Sequence, residues 1–81
     1  MDDSERDGEQ TGVERNPDLA ALGANIRRLR RDAGLTQEEL ASRANLSANY
    51  VGETERGERN PSALVLFALA QALGAPPGSL F

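Results

Sequence analysis

The stretch Ser47-Ala48-Asn49-Tyr50-Val51-Gly52-Glu53-Thr54-Glu55-Arg56 holds an amide at Asn49 and a carboxylate at Glu53, one helical turn apart. On a helical wheel, Ala48, Asn49, Gly52, Glu53 and Arg56 share one side, and Tyr50, Val51 and Thr54 take the other. An amide donates and accepts, a carboxylate only accepts, and small neighbours let a partner come close. The chemistry available to that face is hydrogen-bond reading of a surface rather than bond breaking. The rest of the inventory agrees, because the chain has neither cysteine nor histidine. Disulfides, a zinc cluster, a thiol or Ser/His nucleophile and a histidine general base are thereby excluded. No metal site, no cofactor and no enzyme activity are expected.

With 81 residues the chain has room for one domain. Its formal net charge of -4 is unevenly spread: residues 1–18 hold seven acids against Arg6 and Arg15, and residues 19–81 hold seven arginines against six acids. The acidity therefore belongs to the start of the chain. Residues 1–16 carry charges, Gly8, Gly12 and the single aliphatic Val13, too little apolar surface to offset the entropy of ordering, and are expected to form a disordered acidic tail. The tail reads as a solubilising leader or as an intramolecular competitor for the basic face. The folded domain is expected over 17–81. No apolar run reaches the roughly 18 residues of a membrane span, and the acidic N-terminus is unlike a secretory leader, so a cytoplasmic protein away from membranes is the default.

Four helices are written into the local signals. Leu19, Leu22, Ile26, Leu29 and Ala33 recur at helical spacing, with Asn16 or Asp18 as cap, Pro17 in the first turn and Gly34 at the end. Thr36-Gln37-Glu38-Glu39 is a capping box that starts a second helix at 37; it buries Leu40, Ala41 and Ala44 and stops near Asn45. Ser47 caps a third helix that ends at Gly57, and Ser62 caps a fourth, ALVLFALAQAL, ended by Gly74. The fourth is apolar nearly all round, more than one small core can cover, which points to contact with a second chain. Pro76 to Phe81 reads as the start of a fifth helix whose Leu80 and Phe81 cover the fourth. Two short helices joined by a tight turn, the second with a polar face of low bulk, make the helix-turn-helix arrangement, in which the second helix enters the major groove of DNA.

LGANIRRLRRDAGLTQEELA, LSANYVGETERGERNPS and ALAQALG followed by LF occur in that order, and residues 22–81 resemble the lambda/434 repressor and Cro type of helix-turn-helix domain, the XRE family. Within it, YVGETERGERNPS is similar to the controller proteins of restriction-modification systems. The resemblance implies an all-α, compact five-helix domain, a homodimer on a two-fold-related operator of double-stranded DNA, and transcription regulation. It assigns phosphate contacts to Gln37, Ser47, Tyr50, Arg56, Arg59 and Asn60, base contacts to Ala48, Asn49, Gly52 and Glu53, and a structural ion pair to Arg30 and Glu55. Asn49 suits adenine, Glu53 suits cytosine N4, and Ala48 suits a thymine methyl.

The chain departs from the family pattern at Asn45, where glycine is usual, and at Thr54, where Ile or Leu is usual and whose hydroxyl is expected to bond back to the Tyr50 carbonyl. Gly52 costs the third helix about 1 kcal/mol relative to alanine, and its expected use is close approach to DNA. Five side chains keep two readings each. Arg27, Arg28 and Arg31 form either a solvated face or a peripheral phosphate contact. Glu53 is a base reader or an exposed acid that limits nonspecific binding, and Tyr50 packs or touches phosphate. A second function class also stands: a protein-interaction module, antitoxin-like or bridging to RNA polymerase, that docks through the fourth helix and the C-terminal end.

Overall fold

The computed structural model describes residues 16–81, so the expected disordered tail over 1–16 lies, but for Asn16, outside the described residues. The described chain is all helical: α1 (Pro17–Asp32), α2 (Gln37–Ala44), α3 (Ala48–Glu55), α4 (Ala63–Leu73) and a single 3-10 turn at Pro77–Leu80. Each α-helix starts on a side-chain cap. The Asn16 side chain accepts from the Asp18 amide at 2.8 Å, Ser47 Oγ from the Tyr50 amide at 3.0 Å, and Ser62 Oγ from the Val65 amide at 3.3 Å. Thr36 and Glu39 close the capping box reciprocally, at 3.0 and 2.8 Å. These bonds satisfy amides that the helix itself leaves without acceptors.

The turn between α2 and α3 is set by one backbone conformation. Asn45 sits at φ 59°, ψ 44°, in the left-handed region where asparagine is tolerated, and the Leu46 amide returns to the Ala41 carbonyl at 2.8 Å. That closure ends α2 and redirects the chain within three residues, so α3 packs across α2.

The core gathers Leu22 and Ile26 from α1, Leu35 from the turn, Leu40, Ala41 and Ala44 from α2, Val51 from α3, Leu69 and Ala70 from α4, and Leu80. Ile26, Leu40, Val51, Leu69 and Leu80 are fully buried, each stabilising the fold by about 1.5–3 kcal/mol relative to exposure. α3 supplies only one large apolar side chain to this core, and polar and backbone contacts do the rest. Arg30 Nε donates to Glu55 Oε2 at 2.6 Å, Nη2 to Oε1 at 3.1 Å, and Nη1 to the Leu35 carbonyl at 2.9 Å. Gln37 Nε2 donates to the same Glu55 Oε1 at 3.0 Å. One carboxylate thus links α1, α2 and α3, and its hydrogen bonds hold Arg30 above the ordinary arginine range. Beside it, Gly23 lets α1 touch the backbone of α3: a Cβ there would clash with the Thr54 carbonyl and lie 2.5 Å from the Glu55 carbonyl oxygen.

Four expectations are corrected. The C-terminal segment is a 3-10 turn rather than a fifth α-helix: Pro76 and Pro77 have no amide proton to donate, and the turn closes through the Ser79 amide on the Pro76 carbonyl at 2.9 Å and the Phe81 amide on the Gly78 carbonyl at 3.2 Å. Leu80 covers the core, but Phe81 is 75% exposed; Asn25 Nδ2 donates to the Leu80 and Phe81 carbonyls at 3.1 and 3.3 Å and ties this end to α1 by its backbone. Ala33 is the C-cap just beyond α1 and is exposed, with the left-handed Gly34 turning the chain away after it. Thr54 is buried without a hydrogen-bond partner for its Oγ1, so the expected bond to the Tyr50 carbonyl is absent.

Two outcomes follow for stability. Thr54→Val removes an unsatisfied buried hydroxyl while keeping its shape, and is expected to stabilise the fold by about 1 kcal/mol, read as a higher urea midpoint at unchanged slope. Glu55→Ala leaves a buried guanidinium without its carboxylate and is expected to cost about 3–5 kcal/mol in the same titration, whereas Arg30→Met combined with Glu55→Leu recovers most of that loss.

Candidate nucleic-acid interface

Half of α3 is buried, and its exposed residue is near the N-terminal end. Asn49, the second residue of α3, is exposed and its side chain has no partner among the described residues. Ala48, one residue earlier, is half-buried and packs against the core, so the small side chain marks the rim of the face rather than its centre.

One turn further on, the polar groups are already engaged. Arg59 Nε donates to Glu53 Oε1 at 2.8 Å, and the Arg59 guanidinium lies 5.2 Å from the centre of the Tyr50 ring. Tyr50, Arg59 and Glu53 form a stacked chain that joins α3 to the following loop. The stack buries Tyr50 and Glu53 in part and sets the loop's cation beside the helix. Arg56 makes a two-pronged pair with Glu58, Nε to Oε2 at 3.0 Å and Nη2 to Oε1 at 3.2 Å. Hydrogen bonds donated to Glu58 and to Glu53 raise Arg56 and Arg59, respectively, above the ordinary arginine range, so both stay cationic at any working pH. The Arg56–Glu58 pair is exposed at both partners and the Arg59–Glu53 pair at its arginine, with Glu53 half-buried; exposed charges exchange readily for a competing anion.

The other expected contacts fall as follows. Ser47 is exposed at the α3 cap with its Oγ already accepting from Tyr50, and Asn60 is exposed in the loop after Arg59. Gln37, the first residue of α2, is half-buried because its amide reaches inward to Glu55. Gly52 differs from its expected place on the open face: it is buried, with Arg56 Nη1 at 3.3 Å and Gln37 Oε1 at 3.5 Å from where its Cβ would stand. Long side chains from α2 and from the end of α3 fold over it. A helical wheel gives the angle of Gly52 about its own axis and carries no signal for that cover.

Arg30 and Glu55 underlie this surface without forming part of it. Gly23, which fixes the distance between α1 and α3, is a further supporting residue that the sequence motifs do not single out. A glycine inside an apolar helical stripe is its one legible trace. Among the described residues no group of His, Cys, Asp or Glu side chains is placed to hold a metal ion, and no helix is long and apolar enough to cross a membrane.

Comparison with known proteins matches this geometry. Residues 21–80 fit the model of a family described as a helix-turn-helix domain. Over 53 residues the chain is 53% identical to the HTH-type transcriptional regulator y4dJ of Sinorhizobium fredii, covering 65% of this chain and 69% of that protein. It is 42% identical over 52 residues to control protein C.SmaI of Serratia marcescens, covering 64% of this chain and 62% of that one. The immunity repressor protein of Bacillus phage phi105 is 45% identical over 53 residues, which are 65% of this chain and 37% of the repressor. Among solved structures, the restriction-modification controller protein C.AhdI of Aeromonas hydrophila superimposes with a TM-score of 0.79 at 45% identity, over 80% of this chain and 98% of that one. The shared segment thus spans from about a third to about two thirds of these curated relatives. With capped α2 and α3 joined through Asn45, an exposed Asn49 on α3 and a matched span of residues 21–80, the chain belongs to the helix-turn-helix domain family and is a DNA-binding transcription regulator of the XRE and controller-protein type.

Proposed function

We propose that the protein is a homodimer that binds a two-fold-related operator sequence-specifically, with α3 of each protomer in the major groove. The observation that carries this reading is the exposed Asn49, unpartnered among the described residues, at the leading end of α3, with Arg56 at the helix's C-cap and Arg59 in the following loop. An Asn amide can pair with both the N6 and N7 groups of adenine, while Ala48 at the rim can meet a thymine methyl. Glu53 reads cytosine N4 once Arg59 leaves it for a phosphate, so base reading and backbone contact are coupled through one ion pair. Gln37, Ser47, Tyr50, Arg56, Arg59 and Asn60 set the register by touching phosphate, which positions α3 without itself reading sequence. The α2 N-terminus at Gln37 favours an anion in addition.

The dimer reading is supported by α4. Leu64 is 78% exposed and Phe67 54% exposed, one turn apart on one side of a helix that commits only Leu69 and Ala70 fully to the core. Such a face loses free energy in water and is suited to a second copy. The same face, together with the exposed Phe81, supports the second reading, a protein-interaction module of the antitoxin or polymerase-bridging kind. Enrichment of a symmetric site from a randomised duplex pool at physiological salt supports the regulator. If no sequence enriches and binding to every duplex vanishes by moderate salt, the interaction module replaces it.

On the enriched duplex, Asn49→Ala is expected to relax preference at one base pair and to cost about 1–3 kcal/mol of discrimination, measured by competition between the site and its single-base variants. Phe67→Glu is expected to keep the helical circular dichroism and yield a monomer in sedimentation equilibrium; a wild-type chain that is monomeric at high concentration removes the dimer reading.

A further inference from the structure

Three arginines stand together on the exposed side of α1 near its C-terminal end. Arg27, Arg28 and Arg31 line a shallow groove of about 390 Å³ with Ala24, Asp32 and Glu55. The two acids do little to balance them. Glu55 is buried and already accepts from Arg30 and Gln37, and Asp32 lies 3.8 Å from Arg28. Arg27 and Arg31 pair with no carboxylate among the described residues, although they are four residues apart on one helix face, where like charges repel. The charge count places the missing acids. Residues 16–81 hold seven arginines and seven acids, so the whole net charge of -4 belongs to residues 1–15, with Asp2, Asp3, Glu5, Asp7, Glu9 and Glu14 against Arg6 and Arg15. That segment joins the fold at Asn16, the cap of the same helix.

We propose that Glu5, Asp7 and Glu9 dock on the Arg27 and Arg31 guanidinia of their own chain and act as a salt-sensitive brake on DNA binding. Reach selects these acids. At a rise of about 1.5 Å per residue, Arg27 and Arg31 lie about 16 and 22 Å along α1 from Asn16. A chain spans at most about 3.4 Å per residue, so the backbone of Glu14 stops less than half way to Arg27. With about three residues spent on reversing direction, Asp7 and Glu5 still extend about 20 and 27 Å, past Arg27, and Glu9 comes within side-chain reach of it. Ala20 and Ala24 occupy the same side of α1 between the joint and the arginines, and neither blocks the path nor competes for the acids. Tethering supplies what single exposed ion pairs lack, because it holds the acids at high local concentration. Arg27 also borders Gln37 and Arg56 at the end of α3, so the docked acids set a negative field beside the helix proposed to enter the groove. The contact rests on α1 and the charge count, and its effect on binding rests on the DNA-binding reading above.

The chain has no cysteine, so Ser4→Cys carries a single nitroxide beside Glu5 on the isotope-labelled whole chain. At low salt the amide resonances of Arg27, Arg28 and Arg31 are expected to broaden, and to sharpen again at high salt. Combining Glu5→Gln, Asp7→Asn and Glu9→Gln is expected to abolish the broadening, and Glu14→Gln to leave it in place. Broadening that only fades with distance from Asn16, or that persists at high salt or after the triple neutralisation, overturns the proposal. So does comparable broadening of an isotope-labelled chain by nitroxide carried on separate molecules, which assigns the contact to a second copy. The brake is read by fluorescence anisotropy on a duplex of unrelated sequence. The triple neutralisation is expected to tighten binding about fivefold at low salt and not at high salt, and to gain little on an Arg27→Gln, Arg31→Gln background. An equal gain on both backgrounds is general charge repulsion, and no gain on either leaves no brake; each overturns the proposal. If neither the wild type nor the neutralised chain binds any duplex at low salt, the DNA-binding reading fails and the brake with it, while the resonances decide the docking.

Discussion

The placement of α3 depends on the Glu55 carboxylate. α3 is two turns long and contributes one large apolar side chain, Val51, to the core, too little hydrophobic area to fix both its position and its rotation. Glu55 at its last residue supplies the missing constraint. Two hydrogen bonds from the Arg30 guanidinium and one from Gln37 define direction as well as distance, as contact between aliphatic groups does not. Gly23 sets the limit from the other side by bringing the α1 backbone against the carbonyls of Thr54 and Glu55. A buried ion pair is a weak source of net stability, because desolvating both charges offsets most of their attraction. Its value here is orientational: if α3 turned about its axis, Asn49 would leave the outward position and Glu55 would lose its partners together.

The local signals were legible because each is encoded within a few residues. The caps at Asn16, Thr36, Ser47 and Ser62 and the left-handed Asn45 stand where the sequence puts them, since a side chain that bonds its own neighbouring amides needs no information from elsewhere in the chain. What could not be read depends on residues distant in sequence. Gly52 faces away from the Val51 side of α3, as its angle requires, and is buried all the same because Gln37 and Arg56 fold over it. Glu53 is on the expected side but is held by Arg59 from the next loop. The lone hydroxyl of Thr54 and the close approach at Gly23 are consequences of how tightly α1 meets α3, which no periodicity encodes. The C-terminal segment read as the start of a helix, and two prolines without amide protons leave it a 3-10 turn.

The distribution of charge shows the same division. The total of -4 says little about the binding face, because the folded part carries nearly equal numbers of arginines and acids. Even that count hides the arrangement: Glu53 and Glu58 sit on Arg59 and Arg56, so in the free protein the face is close to neutral. A surface of that kind has weak long-range attraction for any duplex and becomes cationic only where phosphates displace the carboxylates. Under the proposed reading, sequence-independent affinity would then be small, and a greater share of the binding free energy would fall to the proposed contacts of Asn49 and of a released Glu53.

That arrangement gives the proposed dimer a particular importance. A single eight-residue α3 offers a few base contacts, and with paired charges it lacks the broad electrostatic attraction that lets some single domains bind tightly. Two copies joined through α4 present two such helices as one rigid unit, so the second engages at the high effective concentration that the linkage provides. The joining face and the reading face are on different helices, and α4 packs mainly against α2 and the C-terminal turn rather than on α3. The proposed dimerisation would therefore leave the proposed DNA contacts of α3 untouched. In the proposed dimer the distance between the two copies of α3 would be set by the path from α4 through α2 to α3. A domain this small can hold that path fixed only because the capped turn at Asn45 and the Glu55 anchor leave α3 one orientation.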